Sequence, residues 1–184
     1  GWSRRNLSRA LRRMTEAGTD LIGVDLIFSA PSADRETDRM LAAAIHDCEN
    51  VVLAKYLEKD SGRIVQSIPA FRSGMIGDGV INLPVRNNIL RRIPFVYTQQ
   101  REQGIAVHVP FAVELARCFR YLPFSPDLSG ARFFRMGSGK DALQIPYPDL
   151  LIHYAGPSGT FLRIPYHKAV QGDLSEYDLA GRIC

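Results

Sequence analysis

The chain has 184 residues, 46% of them hydrophobic and 23% charged, the balance of one globular domain able to bury most of its apolar surface. Its 11 Pro and 15 Gly follow no repeat, which excludes collagen-like, low-complexity and solenoid architectures, and no apolar run approaches the roughly 20 residues that cross a bilayer. The net charge of +4 conceals an alternation: residues 1–15 hold five Arg and no acid, 16–60 ten acids and four bases, 61–140 eleven bases and four acids, and 141–184 three bases and five acids. That order suits neutralisation between segments rather than one basic face, so nucleic acid is not an expected partner.

In chain order, Leu7, Leu11 and Met14 at helical spacing, with five Arg elsewhere, predict an amphipathic helix stopped by Gly18. The apolar run Leu21–Phe28 predicts the central strand, covered on both faces. Ser32 can cap a second helix running to Cys48, with Asp34 and Glu36 at its positive end and Met40, Leu41, Ala44, Ile45 and Cys48 turned inward. Residues 51–57 read as a strand, which makes 21–57 a βαβ unit with parallel strands. Shorter strands are expected at 64–68, 79–83 and 93–99, and a third helix within 108–121, with Pro110 in its first turn and Phe111, Leu115 and Cys118 on one face. Residues 123–149, rich in Pro and Gly, read as a surface loop. Leu150–Tyr154 reads as a buried strand, Phe161–Tyr166 as an alternating one, and Tyr166–Gln171 as a short helix ended by Gly172. The pattern predicts a single α/β domain with a mixed, largely parallel central sheet and helices on both faces, in three layers.

No motif completes a catalytic site. Gly137-Ser138-Gly139-Lys140 lacks the upstream Gly and the following Ser or Thr of a phosphate loop, and Gly74, Gly77 and Gly79 are not in dinucleotide-binding order. Cys48, Cys118 and Cys184 have neither disulfide-framework nor zinc spacing, and His46, His108, His153 and His167 lack ligand spacing, so no metal and no cofactor is expected. Asp34, Glu36 and Asp38 read as a solvated helix start rather than a metal cluster. Asp25, an acid inside an apolar run, is expected to be buried. It would be either a ligand- or metal-contacting acid at a strand end or, as favoured, an acid bonded to amides of the Ser29–Asp34 turn or paired with an Arg. Arg91-Arg92 could bind an anion or pair with the acidic 16–60 segment. If a ligand site exists, it is expected where Asp25, Ser29, Arg91 and Arg92 meet, near strand carboxyl ends.

The ordered pieces Leu21–Ser32, Asp38–Ile45, Val51–Ala54, Leu90–Phe95, Phe111–Ala116, Leu151–Pro157, Phe161 and Tyr166–Asp173 resemble a CHASE2 domain across almost the whole chain. The family's Asp-x-Asp-Gly turn before the paired Arg is replaced here by Arg86-Asn87-Asn88, and of its closing strand only Gly181–Cys184 is present, so the chain reads as stopping just inside its last strand. The resemblance implies a non-enzymatic extracytoplasmic sensory module, residues 1–184, set between membrane helices of a bacterial receptor. A cyclase or sensor-kinase output, a small-molecule ligand and a homodimeric context would go with it. The alternative is a small α/β enzyme using Asp25 or the Gly-rich turn.

Overall fold

The computed structural model describes residues 3–84, 90–122, 133–136, 143–146, 149–152, 156–157 and 159–184, with 133–136 and 143–146 described as backbone. Helix α1 (Arg4–Glu16) buries Leu7 and Leu11 against α2 (Arg35–Cys48), whose Leu41, Ala44, Ile45 and Cys48 form the expected stripe. Ala10, a quarter-turn away on α1, packs instead with Leu174, Leu179 and Ala169 of α5 (Tyr166–Gln171), so the first helix is wedged between two clusters. Gly172, at φ 83°, closes α5 in the left-handed conformation that glycine tolerates.

Strand β1 (Ile22–Val24) is shorter than the apolar run around it, and the central strand is β2 (Val51–Leu57), as long as expected. β2 pairs in parallel with β1, confirming the βαβ unit, and in parallel with β4 (Gly77–Val80), while β3 (Ile64–Val65) pairs antiparallel with its far end. The remaining pairs are small: β5 (Arg92–Pro94) with β10 (Asp149–Leu151), β6 (Tyr97–Arg101) with β7 (Gly104–His108), and β8 (Phe133–Met136) with β9 (Leu143–Pro146), all antiparallel. The fold is therefore α/β with small mixed sheets, partly parallel, and the β8–β9 hairpin lies inside the stretch expected to be loop. Leu151 is 73% exposed, so β10 is not the buried strand its apolar sequence suggests; His153 and Tyr154 lie outside the described residues. Phe161–Pro165 forms no strand, and Phe161 and Leu162 face solvent.

Helix α4 (Phe111–Phe119) begins after Pro110 and packs on glycines. A Cβ on Gly23 would meet Leu115 and Phe111, one on Gly77 would meet Glu114 and Cys118, and one on Gly79 would lie 2.8 Å from the backbone nitrogen of Phe111. Gly74, just after α3 (Pro69–Arg72), likewise faces the backbone of His46, with a Cβ reaching 2.7 Å from its Cα. Of the glycines that failed as a nucleotide motif, Gly74 and Gly79 thus mark where helix backbone approaches loop or strand, and Gly77 where side chains of α4 do. In β1 the alternation is plain: Ile22 and Val24 join the α1–α2 cluster, while Gly23 between them meets α4.

Arg4 ties the first helix to this core. Its guanidinium lies 5.1 Å from the ring centroid of Phe28 and 5.5 Å from that of Phe71, donates to the Ala30 carbonyl at 2.8 Å and pairs with Asp38. Asp38 is buried and also accepts from Ser32 N–H at 2.9 Å, while the α2 N-cap is Asp34, accepting from Glu36 N–H at 3.0 Å. The expectation of a solvated acidic turn fails at Asp38, because helical spacing turns it inward under Arg4. Burial favours the neutral acid, but the Arg4 bond, the Ser32 amide and the charges of Arg4 and Arg35 together hold its carboxyl below the usual range. Its contribution is therefore present above an unfolded value near 3.8 and is lost as pH falls through the lower folded value. Asp38→Ala is expected to cost about 2 kcal/mol in urea unfolding at pH 7, and less in acid. The Arg12–Asp47 pair, 2.7 Å, joins the same two helices, so the first basic segment is neutralised in part by the acidic one after it.

Candidate functional site

The amino ends of the parallel strands and the carboxyl end of α4 frame a cleft of about 490 Å3, within the roughly 300–1,000 Å3 range of small-molecule sites. Asp20 and Leu21 enter it just before β1, Glu49 and Asn50 just before β2, and Ile76 just before β4; Arg117, Cys118, Phe119, Tyr121 and Leu122 close it. The walls are held by specific bonds. Glu49, in the left-handed conformation at φ 55°, ends α2 and turns the chain into β2. Asn50 donates its amide to the Thr19 carbonyl at 2.8 Å and accepts from the Thr15 hydroxyl at 3.3 Å, joining the entries to β1 and β2. Arg117 makes a two-pronged contact with buried Glu114, Nε at 2.8 Å and Nη2 at 2.7 Å, and its Nη1 donates to the Leu122 carbonyl at 3.1 Å, fixing the turn after α4. Burial, reinforced by Glu114 and opposed by Arg117, pushes the Cys118 thiol up to about 11, so it stays protonated at neutral pH.

The backbone behind the cleft leads to residues 182–184. The N–H groups of Asp20 and Leu21 both donate to the Arg182 carbonyl, at 3.1 and 3.3 Å, Cys184 N–H donates to the Leu21 carbonyl at 2.9 Å, and Gly23 N–H donates to the Cys184 carbonyl at 2.6 Å. Residues 182–184 thus lie alongside β1, with Leu21 and Ile183 bridged in parallel. A shift of the segment before β1 moves the acceptors of the C-terminal residues directly.

The residues singled out from sequence lie elsewhere. β1 ends at Val24, so Asp25 emerges from the sheet and is exposed, contrary to the expected burial; the apolar run outlasts the strand. The carboxylate that serves the Ser29–Asp34 turn is that of Asp38, not Asp25. Ser29 is exposed beyond the same strand end, and Arg91 and Arg92 are exposed at the start of β5, where the Arg91 carbonyl accepts from Ile152 N–H at 3.0 Å. Among the described residues no hydrogen bond or ion pair joins the four, and neither Arg pairs with the acidic 16–60 segment.

Sequence reasoning passed over a polar group formed by Lys55 of β2, Asp78 of β4 and His108 of β7. Lys55 is 6% exposed inside an otherwise apolar strand, and its ammonium lies 2.5 Å from the Asp78 carboxylate. His108 is buried nearby, 3.3 Å from Gln99, whose amide reaches the Gly62 carbonyl at 3.0 Å. A Lys inside Val-Val-Leu-Ala-Lys-Tyr-Leu was the available signal, since a buried cation demands a partner. Burial first, then the positive charges of Lys55 and Arg101, lower His108 to about 4 against the pull of Asp78. The unfolded chain therefore takes up a proton near pH 6.5 that the folded chain refuses until about 4. Stability is expected to fall as pH drops through that window, and His108→Gln should flatten this limb of a Tm–pH profile.

The model of one protein family, the CHASE2 domain, matches residues 1–184, the whole chain. The chain belongs to the CHASE2 family. CHASE2 domains are extracytoplasmic sensory parts of membrane receptors, and cyclase or kinase outputs are typical of the family. The resemblance seen in the ordered sequence pieces is thereby confirmed, and with it a sensing role rather than catalysis by this domain. No curated protein and no solved structure matches the chain. Among the described residues of this CHASE2 domain no helix is long and apolar enough to cross a membrane, and no group of three or more His, Cys, Asp or Glu is placed to hold a metal ion.

Proposed function

We propose that this CHASE2 domain is the ligand-receiving part of a bacterial transmembrane receptor with a cyclase or sensor-kinase output, and that its small-molecule ligand enters the cleft before β1. Flanking membrane helices tether it, and a rearrangement of the domain within a homodimer carries the signal. The observation that supports this reading is the sharing of the Arg182 carbonyl between the amides of Asp20 and Leu21, which couples a wall of the cleft to residues 182–184. A ligand that fits one position of this wall better than another shifts the population of the two by its differential affinity, tenfold for each ~1.4 kcal/mol.

Filling the cleft tests the proposal without knowing the ligand. Ile76 lies on its wall with part of its side chain in solvent, so Ile76→Trp adds bulk to the cleft rather than to the core. In the full receptor this variant is expected to fix output at one level and abolish the response to stimulus. Unchanged basal output and an unchanged response would refute the placement. The exposed set Asp25, Ser29, Arg91 and Arg92 is the competing contact surface, and loss of response in Asp25→Asn or in Arg91→Ala with Arg92→Ala, with the cleft variant silent, would favour it.

A further inference from the structure

We infer that the cleft before β1 selects a small organic cation with an apolar body, of the size of an arylalkylamine; this rests on the reading of the cleft as the receiving site. The charge of the lining carries the inference. Its acids are Asp20 and Glu49, both exposed at the mouth, and neither has an ion-pair or side-chain hydrogen-bond partner among the described residues. The cation of the lining, Arg117, is already neutralised by Glu114 through two bonds and spends its remaining arm on the Leu122 carbonyl. Arg12 is engaged with Asp47 and Arg182 with Asp178, and Arg120, between lining residues Phe119 and Tyr121 in sequence, is outside the lining. Among the described residues the balance of the lining is negative.

The topology adds to it. Helices α2 and α4 both end at this cleft, with Glu49 as the cap residue of one and Phe119 as the last residue of the other, so their carbonyl ends and negative dipole poles lie here. The body of the ligand is set by what remains of the lining. Ile76, Phe119 and Leu122 offer apolar surface, and Tyr121, 93% exposed with φ 52°, presents a ring at the mouth where an ammonium group would sit. A volume of about 490 Å3 accommodates an aromatic or short aliphatic amine and is ordinary for small-molecule sites. A carboxylate or phosphate ligand would meet, among the described residues of the lining, two unpaired acids and no free cation.

Three probes of one shape and different charge test this: 2-phenylethylammonium, 2-phenylethanol and 3-phenylpropanoate, titrated into the 15N-labelled 184-residue chain at pH 7. The cation is expected to shift the amides of Leu21, Ile76 and Cys118, to bind about tenfold tighter than the alcohol, and to weaken as salt rises, while the carboxylate leaves these amides unmoved. Asp20→Asn with Glu49→Gln, both at exposed positions that do not threaten folding, should weaken the cation about tenfold and leave the alcohol unchanged. Equal binding by the alcohol, or tighter binding by the carboxylate, at these same amides would overturn the charge assignment and leave the cleft standing as the site. Failure of all three to move the cleft amides would also overturn it. Shifts confined to residues remote from β1 and α4 would take down the cleft reading itself.

Discussion

Alanine at Gly79 is expected to destabilise the domain by about 3 kcal/mol, the upper end of what overpacking costs. The atoms that a Cβ there would strike are the Cα and nitrogen of Phe111, the first residue of α4, and backbone cannot rotate away as a side-chain tip can. The helix would have to lift from β4, opening contacts at Gly23 and Gly77 as well, because the same helix rests on all three. Gly62→Ala is the control: it has open space around it but φ 65°, so it should lose only the conformational cost of about 1 kcal/mol. Urea unfolding of the two variants separates these contributions. A Gly79→Ala variant within 0.5 kcal/mol or so of the parent would show that α4 does not lie as close to the sheet as described.

The second large effect is expected at Asp78. Removing this carboxylate strands the Lys55 ammonium, 6% exposed, beside neutral His108 with no other ion-pair partner among the described residues. Breaking a buried pair from one side costs about 3–5 kcal/mol, and Asp78→Ala should fall near the lower figure because the Asp78 side chain keeps 23% of its exposure. The partner substitution behaves differently. Lys55→Met removes the charge that needs solvation, and the double variant Lys55→Met with Asp78→Ala should recover most of the loss. A double variant no more stable than Asp78→Ala would mean that the pair is held by something other than mutual charge.

Much of this architecture was legible because it rests on local pattern. The apolar stripe of α2, the full length of β2 and the glycine stop after α5 all follow from spacing and chain chemistry within one element. What escaped depends on neighbours. The run Leu21–Phe28 is apolar beyond Val24 because Leu26 and Phe28 still pack on the α1–α2 core, not because the strand continues, so Asp25 leaves the sheet instead of being trapped in it. Asp38 looked solvated because nothing local announces that Arg4, 34 residues earlier, will lie over it. Phe161 and Leu162 alternate in sequence like a strand, yet no partner strand reaches them among the described residues.

The candidate site was the least legible. Reasoning from strand carboxyl ends led to Asp25, Ser29, Arg91 and Arg92, whereas the cleft opens at the amino ends, built from residues that each look ordinary alone: an Asn after a helix, a Tyr after another, a Cys with its thiol protonated. Only the way α2 and α4 end beside the start of β1 brings them together.

The most direct test of a cleft coupled to residues 182–184 is an amide-resolved NMR screen of small-molecule fragments against the labelled chain. Fragments that shift Leu21, Ile76 and Cys118 should also shift Ile183 and Cys184, through the Arg182 carbonyl and the bonds flanking it. Fragments that occupy the cleft while residues 182–184 keep their positions in the spectrum would contradict the account.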